Sequence, residues 1–168
     1  MSDHQPPRQL QDLIEGQRTV MLTTVEADGS LRSRPMTLLE IDSEQRLWFF
    51  CEALASDAAF AARHARVNLA IQHPAQGNHV SVAGQGTVGH DLDRKRALWS
   101  VMARPWFPDG PESPSLATLC VTPQHIEYWD GPDSGFVRAL AVAASVAAAR
   151  PIGLGEHGEL PTGSTAVA

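Results

Sequence analysis

The sequence predicts a mainly β fold in which an antiparallel sheet closes into a barrel with flanking helices. The chain has 168 residues, which is enough for one hydrophobic core and too few for two. Apolar and polar residues alternate in several segments, as they do in half-buried strands. Most of these segments follow one another through short polar turns, and such turns join antiparallel neighbours.

The first part of the chain is predicted to form a short helix and three strands. Apolar residues at helical spacing in 10–14 predict a helix that ends at Gly16. The alternating segment 20–24 and the extended segment 31–41 are separated by a polar turn, which predicts a β-hairpin. The apolar segment 47–51 is the third strand.

A helix and two further strands are expected next. Ser56 or Asp57 can cap a helix that runs to about Arg66. Segment 67–72 is predicted to be a strand, and 79–88 a long strand that contains glycine.

The next segment contains a second capped helix and a final hairpin. Asp91 or Asp93 is expected to cap a helix that reaches about Met102. Four prolines and one glycine in 104–115 predict an ordered loop. Strands 116–121 and 126–129 are then expected to form a hairpin around Thr122-Pro123-Gln124. The two capped helices would cover the open ends of the barrel.

The chain divides into one domain and two terminal segments. Residues 1–9 are predicted to be disordered, 10–137 to form the barrel domain, and 138–168 to form an alanine-rich helix (to Arg150) followed by a tail of low order. The predicted fold is a six-stranded antiparallel barrel with flanking helices and a C-terminal helix.

Composition and charge exclude several classes of protein. The formal net charge is −6, which disfavours binding to nucleic acid through phosphate contacts. The two cysteines are too few and too far apart for a disulfide framework, so a reducing cytoplasm is expected. Segment 1–9 lacks the apolar part of a signal peptide, and the apolar run 139–149 is about half as long as a membrane span. Neither secretion nor membrane insertion is expected.

A glycine motif in the fifth predicted strand matches the dinucleotide-binding pattern but lacks the strand–turn–helix arrangement that this pattern requires. Residues 84–89 fit G-x-G-x-x-G, but alternation continues through the glycines and the helix begins only after His90. We therefore interpret the motif as a strand with a bulge or a close backbone approach.

Metal binding and nucleophilic catalysis have little support. The seven histidines show neither i,i+4 pairing nor a cysteine at zinc-like spacing, so no metal site is expected. His90, Asp91 and Asp93 are interpreted as a capping turn, and 94–96 as a solvated basic helix face. There is no G-x-S-x-G elbow, and any chemistry is expected to come from a cofactor.

The most informative segment is Arg32-Ser33-Arg34-Pro35-Met36. In an extended chain Arg32 and Arg34 point to one face, where two guanidinium groups suit a phosphate or the pyrimidine edge of a flavin. The alternative is two arginines on a solvated strand. Similarly, Trp48-Phe49-Phe50 fits either the core or a slot for a flat ring, and the helix start at Ser56 would attract phosphate.

These segments occur in an order that resembles one known family. The order is RSRPM (32–36), WFF (48–50), a capped helix, HVSVAG (79–84) and PWFPDG (105–110). It resembles the general stress protein 26 group of the pyridoxamine 5′-phosphate oxidase-like flavin-binding proteins. The similarity runs from about Leu10 to Trp129 and includes MLTT (21–24) and EYWD (127–130).

The resemblance implies a split β-barrel and a homodimer with two FMN sites at the subunit interface. The cofactor-binding residues that it implies are Arg32, Arg34, Pro35, Met36, Thr37, Phe50, Cys51, Ser56, His79, Ser81 and Trp106. Arg32 and Arg34 would face the anionic parts of the flavin, and Trp106 would come from the partner subunit. The family usually has a lysine that contacts the FMN phosphate, and this sequence has Asp57 or Ala58 at that position. Loss of the charge-assisted contact, ~1.5–3 kcal/mol, would weaken FMN binding roughly 10- to 100-fold.

The functional hypothesis is a flavin-mediated oxidoreductase of unknown substrate, which the family resemblance connects with stress responses. No equivalent of the substrate-phosphate arginines of a true pyridoxamine-phosphate oxidase is present, so vitamin B6 oxidation is disfavoured. One alternative is a non-catalytic dimer that binds flavin, and another is a site for a different planar ligand such as a deazaflavin or haem.

Overall fold

The protein is built on one antiparallel sheet of seven strands. The computed structural model describes residues 10–53, 65–73, 77–130 and 156–162. The strands are β1 (Thr19–Val25), β2 (Leu31–Ile41), β3 (Leu47–Glu52), β4 (Ala65–His73), β5 (Asn78–Gly89), β6 (Leu116–Asp130) and β7 (Glu156–Leu160).

Six of these strands close into a barrel. The sheet order is β3-β2-β1-β4-β5-β6-β7, and β3 also pairs with β6. Each pairing is antiparallel. The circuit β1-β2-β3-β6-β5-β4 therefore has no free edge, and β7 is an extra strand added to β6. The predicted six-stranded antiparallel barrel is confirmed.

The core fills the inside of the barrel because every second residue of a strand points inward. Val20, Leu22 and Thr24 of β1 are buried, whereas the residues between them are at least partly exposed. Leu47 and Phe49 of β3 are fully buried in the same cluster. Each fully buried aliphatic or aromatic side chain contributes about 1.5–3 kcal/mol, so the alternating pattern of the sequence determines which face of each strand forms the core.

In the described part of the chain, two short helices flank the barrel. Helix α1 (Leu10–Leu13) is followed by a turn that ends at Gly16, whose φ of 78° suits glycine. Helix α2 (Leu92–Leu98) begins at Asp91, whose carboxylate accepts a hydrogen bond from the Arg94 amide at 2.6 Å. The predicted capping turn is confirmed. The predicted end near Met102 is wrong, because α2 stops at Leu98 and a 3₁₀ turn (Val101–Ala103) follows.

The predicted hairpin at 116–129 is also wrong, because β6 is a single strand of 15 residues. Its pairing with β5 shifts register between Ala83 and Gly84, opposite Pro123. A Cβ atom on Gly84 would overlap the carbonyl oxygen of Thr122. The irregularity thus accommodates the proline within the ladder. The interpretation of Gly84 as a site of close backbone approach is confirmed.

Two further boundaries differ from expectation. Strand β4 begins at Ala65, so the predicted end of a helix near Arg66 is wrong, and the rest of that prediction lies outside the described residues. The tail was expected to have low order, yet residues 156–160 form β7 on the edge of β6. Residues 1–9 and the predicted helix 138–150 lie outside the described part of the chain. Among the described helices, none has the length and apolar character needed to cross a membrane.

Candidate functional site

The barrel wall opens where β2 and β3 separate. These two strands pair from Ile41/Leu47 to Leu38/Phe49. Beyond that point, in the described ladders, residues 31–37 pair only with β1 and residues 50–52 only with β6. The inward-facing side chains of both segments therefore line a gap in the wall instead of a hydrogen-bonded seam.

Arg34 lies on the part of β2 beyond its last pair with β3, and its side chain is half-buried. It stands opposite Leu22, a buried core residue, in the β1–β2 ladder. Its Nε and Nη2 atoms are buried and have no hydrogen-bond partner among the described residues. Buried donors of a cation that lack partners are costly. The arrangement therefore suits a ligand that supplies anionic or strongly accepting oxygen atoms at the opening.

The other predicted residues of β2 are divided between the two faces of the strand. Arg32 shares the inward side with Arg34, opposite Thr24, but its side chain is exposed. Met36 is half-buried and packs against the core, as does Cys51 of β3. Pro35 and Thr37 point outward and are exposed. One chain therefore brings Arg32, Arg34, Met36 and Cys51 to the inner side of the opening.

Phe50 occupies the outer face of β3. Its ring lies 6.0 Å from that of Trp99 and 6.2 Å from that of Phe107, measured between centroids. The neighbouring Phe49 is fully buried in the core, and the Trp48 indole nitrogen donates to Asp42 at 2.8 Å. Within one chain, therefore, Phe50 packs against the segment after α2 and does not face the barrel interior.

Three predicted residues lie on the outer surface, away from Arg34. His79 and Ser81 point outward from β5, where Ser81 accepts a hydrogen bond from Asn68 Nδ2 at 2.9 Å. Trp106 is 73% exposed, and Val101 and Met102 of the same segment are 70% and 76% exposed. Ser56 lies outside the described residues. Within one chain, the outward-facing set and the inner set therefore lie on opposite faces of the barrel wall.

A separate cavity of about 530 Å³ lies on the outer wall beside Trp48. The Arg94 guanidinium stacks on the Trp48 ring at 3.9 Å, and its Nη2 atom is 3.3 Å from Glu40. The Arg94 Nε atom is buried and has no hydrogen-bond partner in the described ranges. None of the residues predicted for cofactor binding lines this cavity.

The acidic groups of this cavity neutralise its arginines. Asp42 accepts hydrogen bonds from Trp48 Nε1 and Arg46 Nε, both at 2.8 Å. Burial raises the pKa of Asp42, but these hydrogen bonds outweigh it and hold the pKa below its ordinary value. Burial also raises the pKa of the nearby Cys120 thiol, which keeps it protonated. Since Glu40 and Glu44 pair with the arginines as well, the cavity has no excess of positive charge to attract an anion.

The basic run 94–96 is not the solvated face that its sequence predicts. Lys95 is only 6% exposed, and its Nζ donates to the carbonyl oxygens of Ser113 and Leu116, each at 3.3 Å. Only Arg96, which pairs with Glu112, fits the prediction. The sequence did not reveal that the loop after α2 folds back over this face and presents its carbonyl groups to the lysine.

The fold and the site define a class of protein: a split antiparallel barrel whose opening carries an arginine with unpartnered donors. A family model, pyridoxamine 5′-phosphate oxidase like, matches residues 5–151. The chain therefore belongs to the pyridoxamine 5′-phosphate oxidase-like family.

Solved structures agree with this assignment. The chain is similar to a general stress protein 26 from Jannaschia sp. CCS1, with a TM-score of 0.68 and 22% identity over 89% of this chain and 93% of the other. It is also similar to the general stress FMN/FAD binding protein of Xanthomonas citri, with a TM-score of 0.63 and 28% identity over 73% and 86%. A general stress family protein of Xanthomonas campestris pv. campestris has a TM-score of 0.60 and 27% identity over 73% and 84%. No curated protein matches the chain.

Proposed function

We propose that this protein binds FMN at the opening between β2 and β3. The observation that carries the proposal is Arg34, whose buried Nε and Nη2 atoms lack partners at the gap in the wall. An FMN molecule offers both anionic phosphate and the acceptor atoms of its pyrimidine edge. The similar protein from Xanthomonas citri, named as an FMN/FAD binding protein, supports the same ligand.

The residues at the opening would make different contributions to FMN binding. Arg34 would donate from its buried atoms, and Arg32, exposed on the same side, would add a second positive charge. Met36 and Cys51 would give the ring system an apolar wall that is continuous with the core. When bound, FMN supplies hydride or electron transfer, so the protein would orient the ligand and exclude water.

We further propose that the working unit is a homodimer. The exposed side chains of Val101, Met102 and Trp106 are apolar, and Trp106 is among the residues that the family resemblance assigns to FMN. Exposed groups of this kind are typical of surfaces that another protein covers. His79 and Ser81 point outward as well. A second chain would therefore supply its outward-facing residues to the opening of the first chain.

The proposed activity is a flavin-dependent oxidoreduction in a reducing cytoplasm, where cysteine side chains remain thiols. The inner-facing residues of the opening, in the described part of the chain, are arginine, methionine and cysteine, and none is a carboxylate or histidine. The chemistry would therefore belong to the cofactor. The second candidate, a non-catalytic flavin-binding protein, is favoured by the same lack of an acid or base.

Titration of the ligand-free protein with FMN, followed by fluorescence, tests the proposal. Arg34→Gln should weaken binding roughly 10- to 100-fold, because charge-assisted hydrogen bonds contribute ~1.5–3 kcal/mol. Arg66→Gln is the matched control, since Arg66 is an exposed arginine on the outward side of β4. Equal losses in both variants, or no FMN uptake by the wild-type protein at high micromolar concentration, would refute the site.

Restoring the missing cation gives a second test. Ala58→Lys or Asp57→Lys should tighten FMN binding, because each places positive charge where the family resemblance locates the phosphate. Unchanged affinity in both variants would show that the phosphate lies elsewhere.

Anaerobic reduction then separates the two candidate functions. Loss of the flavin absorbance on addition of NADH or NADPH would support the oxidoreductase. A bound flavin that no donor reduces would support the non-catalytic binder.

A further inference from the structure

The outer face of β6 and β7 brings together a histidine and two glutamates from distant parts of the sequence. Glu127 of β6 stands directly opposite Glu159 of β7 in the antiparallel ladder. His125 precedes Glu127 by two residues and therefore lies on the same face. The spacing of histidines along the chain could not reveal this cluster, because its third member comes from another strand.

The three side chains hold their potential ligand atoms close together. The His125 Nε2 atom is 3.5 Å from Glu127 Oε1 and 3.9 Å from Glu159 Oε1. One potential ligand atom from each residue lies within 4.8 Å of the others. In a tetrahedral zinc site with bonds of about 2.1 Å, neighbouring ligand atoms are about 3.4 Å apart. Small rotations of exposed side chains would therefore close the set around one ion.

The two carboxylates of the cluster favour the binding of a cation. Two carboxylates directly opposite each other on adjacent strands repel and destabilise the pairing. The imidazole of His125 lies beside both carboxylates, so the set offers nitrogen as well as oxygen atoms to a cation. An imidazole nitrogen with two carboxylate oxygens suits zinc and other first-row transition ions, whereas magnesium and calcium prefer oxygen ligands.

We propose that His125, Glu127 and Glu159 bind one divalent transition-metal ion, with Zn²⁺ as the best match. This ion would stabilise the pairing of β7 with the barrel strand β6. Within the described residues β7 pairs only with β6, so its attachment depends on one ladder. A metal bound by both strands would replace a repulsive pair with a shared ligand. This site does not depend on the proposed flavin site.

Calorimetric titration of the tag-free, EDTA-stripped full-length protein with ZnCl₂ tests the site. We expect one Zn²⁺ per chain, and His125→Asn or Glu159→Gln should weaken binding at least about 10-fold, since even indirect changes near metal ligands have effects of that size. His157→Asn is the matched control, because His157 lies on the same face of β7 but its ring packs against Trp129 at 5.0 Å. No binding up to 1 mM, or a loss only in the His157 variant, would overturn the proposal.

Hydrogen exchange of residues 156–160 tests whether the metal stabilises the pairing of β7 with β6. At a Zn²⁺ concentration of about 100 times Kd, amides that exchange by detachment of β7 should exchange about 100-fold more slowly. Without metal, Glu159→Gln should protect β7 at least as well as the wild type, because it removes the repulsion by Glu127. With Zn²⁺ only the wild type should gain protection. An equal gain from Mg²⁺ at the same concentration would indicate charge screening and would overturn the assignment.

Discussion

Replacing Arg34 with methionine should have opposite effects on the ligand-free and the FMN-bound protein. In the free protein the Arg34 Nε and Nη2 atoms are buried without partners, next to the core residue Leu22. Methionine has a similar length and no donors, so it can fill the same space at the β2–β3 opening. If the arginine is retained for a ligand, its removal should stabilise the free protein and weaken binding.

The two buried donors determine the expected magnitude. An unsatisfied buried donor costs about 1–3 kcal/mol. Arg34 is only half-buried, so the lower limit applies to each nitrogen, and Arg34→Met should raise the free energy of unfolding by about 2 kcal/mol. At FMN concentrations of 1,000 times the wild-type Kd, the wild type gains about 4.1 kcal/mol. A variant that binds 100-fold more weakly gains about 1.4 kcal/mol, so the order of stability reverses.

Urea denaturation with and without FMN, at one fixed protein concentration because a dimer is proposed, measures both effects. The informative result is the crossing: the variant is more stable without FMN and less stable with it. A ligand-free Arg34→Met protein that is less stable than the wild type would show that the guanidinium group is already well solvated or paired. The case for an anionic ligand at this opening would then fail.

Two further predictions concern the scaffold. Gly84→Ala should lower the free energy of unfolding by about 1–3 kcal/mol in urea denaturation, because the added Cβ overlaps the Thr122 carbonyl oxygen; an unchanged midpoint would contradict the close approach. Asp42→Asn should cost about 1–2 kcal/mol at pH 7, because the carboxylate accepts from Trp48 and Arg46. Since the folded-state pKa of Asp42 is lowered, this difference should be present above about pH 4 and shrink as the pH falls through the folded-state value. A difference that is independent of pH from 7 down to 2 would contradict it.

The sequence predicted the strands of the barrel well because each strand is recognised from a pattern within a short segment of the chain. Alternation in β1 and β5 follows directly from one buried face, and the structure confirms the strands predicted at 20–24, 31–41, 67–72 and 79–88 within a few residues. Contacts between distant segments were not predictable in this way. Lys95 looked solvated because its acceptors, the carbonyl groups of Ser113 and Leu116, belong to a loop whose path no local pattern encodes.

The same limit applies to the site. Alternation correctly placed Arg32 and Arg34 on one face of β2, because side-chain direction in a strand is a local property. It could not reveal that β2 and β3 separate beyond Leu38, which is the feature that makes Arg34 accessible. Nor could it pair Glu127 with Glu159, since the register of β7 depends on the path of the intervening chain. These features depend on long-range pairing, which the pattern of a single strand does not specify.

The continuous β6 strand connects the two proposed sites. Its first half, Leu116–Val121, pairs with β3 and closes the wall behind the opening. Its second half pairs with β7 over Ile126–Asp130, which contains Glu127, and His125 immediately precedes this segment. The change of partner falls at the register shift opposite Gly84, where a bulge bends and twists the strand. A substitution that straightens this bend should therefore disturb both the opening and the attachment of β7, whereas loss of the histidine–glutamate cluster should leave the opening intact.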